Sequence, residues 1–134
     1  MVTLQIHIKK YMAKKIINND ALLANIIKGI EEVKGSDIDI LDLREIDTAV
    51  CDYFVVCNGN SNTQVNAIVN SIQKTVSKDL KDKPWHVEGS DVAEWVLMDY
   101  VHIVVHVFQK HIREYYNIES LWGDAKITKI ENKY

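Results

Sequence analysis

The segment Tyr53-Phe54-Val55-Val56-Cys57 is apolar at every position, so neither face of a strand built from it can meet water. Such a strand belongs at the centre of a sheet that is covered on both sides. Asn58-Gly59-Asn60 then supplies a turn, and Ser61-Asn62-Thr63-Gln64 has the form of a capping box, with the Ser61 hydroxyl bonding an early helix amide and Gln64 reaching back. The apolar set Val65, Ile68, Val69, Ile72, Val76 and Leu80 keeps the helical period until Pro84 stops it. A buried strand feeding an amphipathic helix predicts layers of sheet and helix.

The flanking chain extends this pattern. From Asn19 or Asp20, either a good N-cap, Leu22, Leu23, Ile26, Ile27, Ile30 and Val33 repeat at helical spacing until Gly35. Ile38, Ile40 and Leu41 to Leu43 form a short strand with Asp37, Asp39 and Asp42 as polar alternates. Beyond Pro84 come three extended pieces, Trp85 to Glu88, Trp95 to Tyr100 and Ile103 to Phe108, the last two close enough to form a hairpin. Ile112, Tyr115, Tyr116 and Trp122 return to roughly helical spacing. The order predicts an α/β (α+β) fold, a single mixed sheet of about five strands packed by helices. Residues 1–18 read as a flexible N-terminal arm, with Met12 as the expected natural start, residues 19–125 as the domain and residues 126–134 as a charged C-terminal tail.

With 134 residues, 47% of them apolar, the chain can bury one sizeable core and is too short for two ordinary domains. A net charge of −3 provides no broad positive field for phosphate backbones, so tight independent nucleic-acid binding is not expected and a protein surface is the better partner. Cys51 and Cys57 sit at opposite ends of one strand, about 20 Å apart at the usual rise, too far for a disulfide. They read as buried thiols of a reducing compartment. Nothing resembles a signal peptide or a membrane span, and a cytoplasmic protein is expected.

Candidate chemistry is sparse. His102-x-x-x-His106 would suit one metal on a helix, but on a strand its imidazoles stand roughly 13 Å apart. His106 is then a packed or hydrogen-bonded sheet residue and His102 a turn residue, while His86 and His111 have no neighbours that complete a site. The Gly59 turn ahead of a helix could hold a phosphate on free amides. A nucleotidyltransferase would also need paired carboxylates on the following strand for its metal ions, and there the acids Glu88, Asp91, Glu94 and Asp99 are scattered, with Asp37-x-Asp39 preceding the loop instead. Neither cysteine has an activator and Ser61, Ser71, Ser77 and Ser90 lack a nucleophile motif. No catalysis, cofactor or metal is expected. Trp95-Val96-Leu97-Met98-Asp99-Tyr100 remains, a strand with the Trp, Tyr and Met content of interface cores, and equally of an ordinary core filled by alternate residues.

Taken in order, Cys51 to Ser61, Thr63-Gln64-Val65, His86-Val87-Glu88-Gly89, Trp95 to Tyr100, Val104 to Phe108, Arg113 to Tyr116 and Leu121-Trp122 resemble the ribosomal silencing factor (Iojap-like) family over about residues 20 to 125. The resemblance implies a nucleotidyltransferase-like sheet without its catalytic carboxylates, in agreement with the missing acids. It implies binding to the large ribosomal subunit through its protein L-fourteen, which sterically blocks subunit joining and represses translation when nutrients are short. The docking surface it implies is Glu88, Trp95, Met98, Asp99 and Tyr100, with Trp95 and Tyr100 as anchors, Met98 as an adaptable apolar contact, and Asp99 and Glu88 as acceptors for basic groups. Arg113, Tyr116 and Trp122 would pack the last helix onto the sheet.

Two departures stand out. Many members of the family turn the hairpin with Gly-Asp, whereas this chain has Val101-His102, and a β-branched residue resists positive φ. The first eleven residues exceed the pattern. The competing reading is a small nucleotide-binding enzyme of nucleotidyltransferase type using the Gly59/Ser61 turn. No membrane partner is expected, and association of two copies into a homodimer is left open.

Overall fold

The computed structural model describes residues 18–132 and 134, so residues 1–17 of the arm expected over residues 1–18 lie outside the described residues. Among the described residues, one six-stranded mixed sheet organises the fold, in the order β3-β4-β5-β2-β1-β6. Its strands are β1 (Ser36–Asp42), β2 (Tyr53–Gly59), β3 (His86–Glu88), β4 (Trp95–Asp99), β5 (Ile103–Gln109) and β6 (Lys126–Ile130). β2 and β5 run parallel, and every other neighbouring pair is antiparallel.

β2 is buried along its whole length, as its unbroken apolar run requires. Two helices, α1 (Asn19–Glu32) and α2 (Asn62–Leu80), cover one face. Their contact is close: a Cβ on Gly29 would stand 2.8 Å from the Ile72 Cα, and the Ser71 hydroxyl donates to the Gly29 carbonyl at 2.6 Å. Leu22, Ile26 and Ile30 of α1, Val65, Ile68, Ile72 and Val76 of α2, and Val55, Cys57, Val96, Met98, Tyr100, Val105 and Val107 of the sheet and its hairpin turn form this main core.

Both helices start and stop on sequence signals. The Ser61 side chain accepts from the Gln64 amide, and the Gln64 side chain caps one residue further out, on the Asn60 amide. α1 is capped by Asn18, one residue before the expected caps, through the Asp20 amide. Its C-terminus closes in a Schellman arrangement, with Lys34 bonding Glu31 and Gly35 bonding Ile30.

The other face is covered only in part. The helical return is split by Asn117 at φ +46° into α3 (Lys110–Tyr116) and α4 (Ile118–Leu121). Leu41, Leu43, Phe54, Val56 and Phe108 pack here with Ile118, Ile112 and Trp122. Residues 126–134, expected as a charged tail, instead supply β6, paired with β1 from Ile38↔Ile130 to Asp42↔Lys126. Its Lys-Ile-Thr-Lys-Ile sequence suits an edge strand with little to bury, so it lacks the apolar content that marks a core strand.

Candidate functional site

Because α3 and α4 lie over the β5-β2-β1 side, no described helix covers the outward face of β3, β4 and the start of β5. Alternation decides which side chains reach it. On β4, Trp95, Leu97 and Asp99 point outward and are half-buried, while Val96 and Met98 point to the main core. Pairing aligns His86 with Asp99 and Glu88 with Leu97 on one side, and Val104 with Asp99 on the other. Trp95, Leu97 and Val104 thus form an apolar strip, with the carboxylate of Glu88 beside Leu97 and that of Asp99 beside Val104.

The expected docking set therefore divides. Glu88, Trp95 and Asp99 share the open face. Met98 and Tyr100 do not: both are 0% exposed in the main core, so the anchor and adaptable-contact roles expected of them are unavailable in this fold. Alternate residues of the strand divide between the two faces, Val96 and Met98 filling the main core and Trp95, Leu97 and Asp99 facing outward. Leu97, not among the expected contacts, is the apolar side chain of β4 that faces outward beside Trp95.

Trp95 is held on this face by three aromatic neighbours. Its ring stacks on Phe108 at 4.9 Å and 26°, meets Tyr116 at 5.0 Å, and donates its indole N–H to His106 Nδ1 at 3.1 Å. His106 lies behind it, edge-on to Phe54 with ring centroids 4.5 Å apart. Burial lowers the His106 pKa to about 4, with the Glu119 charge opposing, so the ring is neutral near pH 7. Accepting the indole proton at Nδ1 places the ring's own proton on Nε2, and that buried nitrogen has no hydrogen-bond partner among the described residues.

The two expected acceptors differ in freedom. Glu88 is exposed and meets the His86 ring nitrogen at 2.6 Å. Asp99 is committed in part to its own hairpin, its carboxylate accepting from the Val101 amide at 2.7 Å. The 89–93 turn that brings the chain to β4 depends on Gly89, at φ +91°, where a Cβ would stand 2.2 Å from the Trp95 carbonyl oxygen.

A second concavity of about 620 Å³ lies at the carboxyl ends of β2 and β5, where a nucleotide would bind in a related sheet. Arg113 fills its base. The guanidinium donates to Glu119 at 2.7 and 2.9 Å, Asn58 at 2.8 Å, Asp39 at 3.0 Å and the Asp37 carbonyl. Lys129 adds a second cation on Asp39 at 3.3 Å. The Gly59 turn is equally occupied, since the Gln64 side chain takes the Asn60 amide and donates to the Lys34 carbonyl. Arg113 does pack the last helix onto the sheet, as does Trp122, edge-on to Phe54 at 5.5 Å; Tyr116 serves Trp95 and stays 49% exposed.

Other candidates resolve into structure. His102 pairs with Asp52 at 3.2 Å and His106 with Trp95, each on its own partner. No group of His, Cys, Asp and Glu among the described residues is placed to hold a metal ion. Cys51 and Cys57 are free, buried thiols, and burial pushes the pKa of each up to about 12. No described helix is long and apolar enough to cross a membrane.

Comparison with known proteins agrees with this architecture. Residues 16–133 match the family model described as ribosomal silencing factor during starvation. The ribosomal silencing factor of Bacillus subtilis (strain 168) is 39% identical over 116 residues, covering 86% of this chain and 96% of that protein. A crystal structure of a Chromobacterium violaceum protein superposes with a TM-score of 0.75 at 34% identity, covering 87% of this chain and 97% of that one. More distantly, the mouse (Mus musculus) protein named mitochondrial assembly of ribosomal large subunit protein 1 is 35% identical over 74 residues, 53% of this chain and 32% of its own length. The chain belongs to the ribosomal silencing factor family.

Proposed function

We propose that this chain docks on the large ribosomal subunit through the open face of β3, β4 and β5, with protein L-fourteen as its contact, and sterically blocks subunit joining in the cytoplasm when nutrients are short. The observation that carries the reading is the half-sheet that the described residues leave uncovered. An apolar strip of Trp95, Leu97 and Val104 at the end of an otherwise covered sheet is what an interface core requires. The carboxylates of Glu88 and Asp99 beside it suit a basic ribosomal protein. The overall charge of −3 works against unspecific adhesion to ribosomal RNA. The large-subunit name borne by the mouse relative points the same way.

The role is non-catalytic in this reading. The nucleotide-type concavity holds Asp39 in ion pairs with Arg113 and Lys129, and Gln64 occupies the Asn60 amide at the Gly59 turn, so neither that carboxylate nor that amide is free for a metal-bound nucleotide. The enzyme alternative is not favoured. Mixing purified subunits with and without the protein tests the proposal: the yield of joined ribosomes should fall as the protein saturates large subunits. Unchanged joining at saturation would overturn it. Nucleotide titration should give no binding in the micromolar range, an affinity of about −8 kcal/mol.

A further inference from the structure

We infer that His106 is a positioning residue for docking, its Nδ1 fixing the Trp95 indole in the orientation that the partner meets. The inference rests on the docking reading above and extends it to a buried residue that touches no partner. Phe108 and Tyr116 flank the Trp95 ring, but stacking tolerates sliding and tilting. The 3.1 Å bond from the indole nitrogen to His106 is the directional contact. A large, half-buried side chain loses rotamer freedom on docking unless it is already held, so fixing Trp95 beforehand lowers the cost of association.

His106 is otherwise hard to explain at its position. It is 5% exposed, lies among Phe54, Trp95 and Phe108, and leaves Nε2 buried with no partner among the described residues. A buried donor without an acceptor costs stability, and an apolar side chain of similar size would avoid that cost. What an apolar side chain cannot do is accept the indole proton. Burial also keeps the ring neutral, and only the neutral ring has an acceptor at Nδ1, since the charged ring would present a second donor to the indole.

Two substitutions separate positioning from packing. His106→Leu removes the acceptor and the orphan donor together; His106→Asn keeps an oxygen near the place of Nδ1. In the isolated chain, the Trp95 indole N–H resonance should be protected from exchange in the wild type and in His106→Asn, and exposed in His106→Leu. Large-subunit affinity should fall about tenfold in His106→Leu and stay within about threefold in His106→Asn, with the Leu variant folded as well as the wild type. Wild-type affinity in a folded Leu variant would overturn the proposal, as would a wild-type indole that exchanges freely. Should the Leu variant not fold, the Asn variant decides, because loss of indole protection or of binding there contradicts the proposed role. Large subunits that ignore the wild-type chain would overturn the docking reading itself and this proposal with it, an outcome distinguishable from failure of His106 alone, where the wild type binds and the Leu variant binds equally.

Discussion

The Asp99 carboxylate accepts the Val101 amide at 2.7 Å and holds a valine that is 2% exposed at φ +76°, the left-handed region that β-branched residues avoid. The His102 amide donates to the Tyr100 carbonyl at 3.0 Å across Val101, which makes this a γ-type turn. The departure from Gly-Asp is thus accommodated by a tight, strained hairpin bend. In most strands Gly is less stable than Ala by about 0.5–1 kcal/mol. Here the order should invert, because Val101→Ala loses apolar burial and keeps the strain, whereas Val101→Gly releases about 1–2 kcal/mol of it. Urea unfolding checks the order; Ala above Gly would mean that the bend is unstrained.

β6 gives a second test. A chain ending at Ala125 loses the strand that covers β1, including the half-buried Ile130, and leaves the β1 edge open. Its melting temperature should drop by more than about 5 °C, on the order of 1 kcal/mol for a domain this size, with a tendency to self-associate. A charged tail would leave both unchanged.

Arg113 should matter more to the fold than any other surface cation. Its removal in Arg113→Leu leaves the carboxylates of Asp39 and Glu119, 7% and 16% exposed, without the guanidinium that satisfies them, a situation that costs about 3–5 kcal/mol. Arg113→Lys should recover only part, since one ammonium cannot span Asp39, Asn58 and Glu119 as the fork does. Denaturant midpoints within about 1 kcal/mol of wild type for Arg113→Leu would contradict this role.

Periodicity made α1 and α2 legible because each hides a face whose pattern repeats, and the Ser61 cap and the all-apolar β2 are local signals. The family resemblance pointed to β4 but could not assign parity. Met98 and Tyr100 look as interface-like in sequence as Trp95 does, and only the placement of α1 and α2 on one side sends them inward. The Trp95 to His106 bond was equally hidden. In the register, Trp95 faces Phe108 and His106 faces Leu97, so the pair is diagonal and emerges only once β4 and β5 are aligned. β6 was missed because an exposed edge strand carries almost no hydrophobic pattern.

The neutral His106 also predicts a pH effect. In the unfolded chain this imidazole titrates near 6.5, and in the folded protein near 4. Between these values the unfolded state binds more protons, so stability falls as pH falls through the window, by about 1.4 kcal/mol per unit at this site. Relative to His106→Leu, the wild type should therefore lose on the order of 3 kcal/mol between pH 7 and pH 4. A difference between the two proteins that stays constant over that range would mean that His106 is not buried neutral.

The central claim, that the open face of β3 to β5 is the docking surface, is tested most directly by co-sedimentation with purified ribosomal subunits. Wild-type chain should travel with large subunits and not with small ones. Leu97→Lys places a cation in the centre of the apolar strip and Glu88→Lys reverses an exposed carboxylate at its edge, and neither residue is part of the core. The pair of changes should leave the melting temperature within about 3 °C of wild type and weaken large-subunit binding by about 2 kcal/mol or more, with the salt dependence altered. A folded double variant that sediments with large subunits as the wild type does would contradict the account.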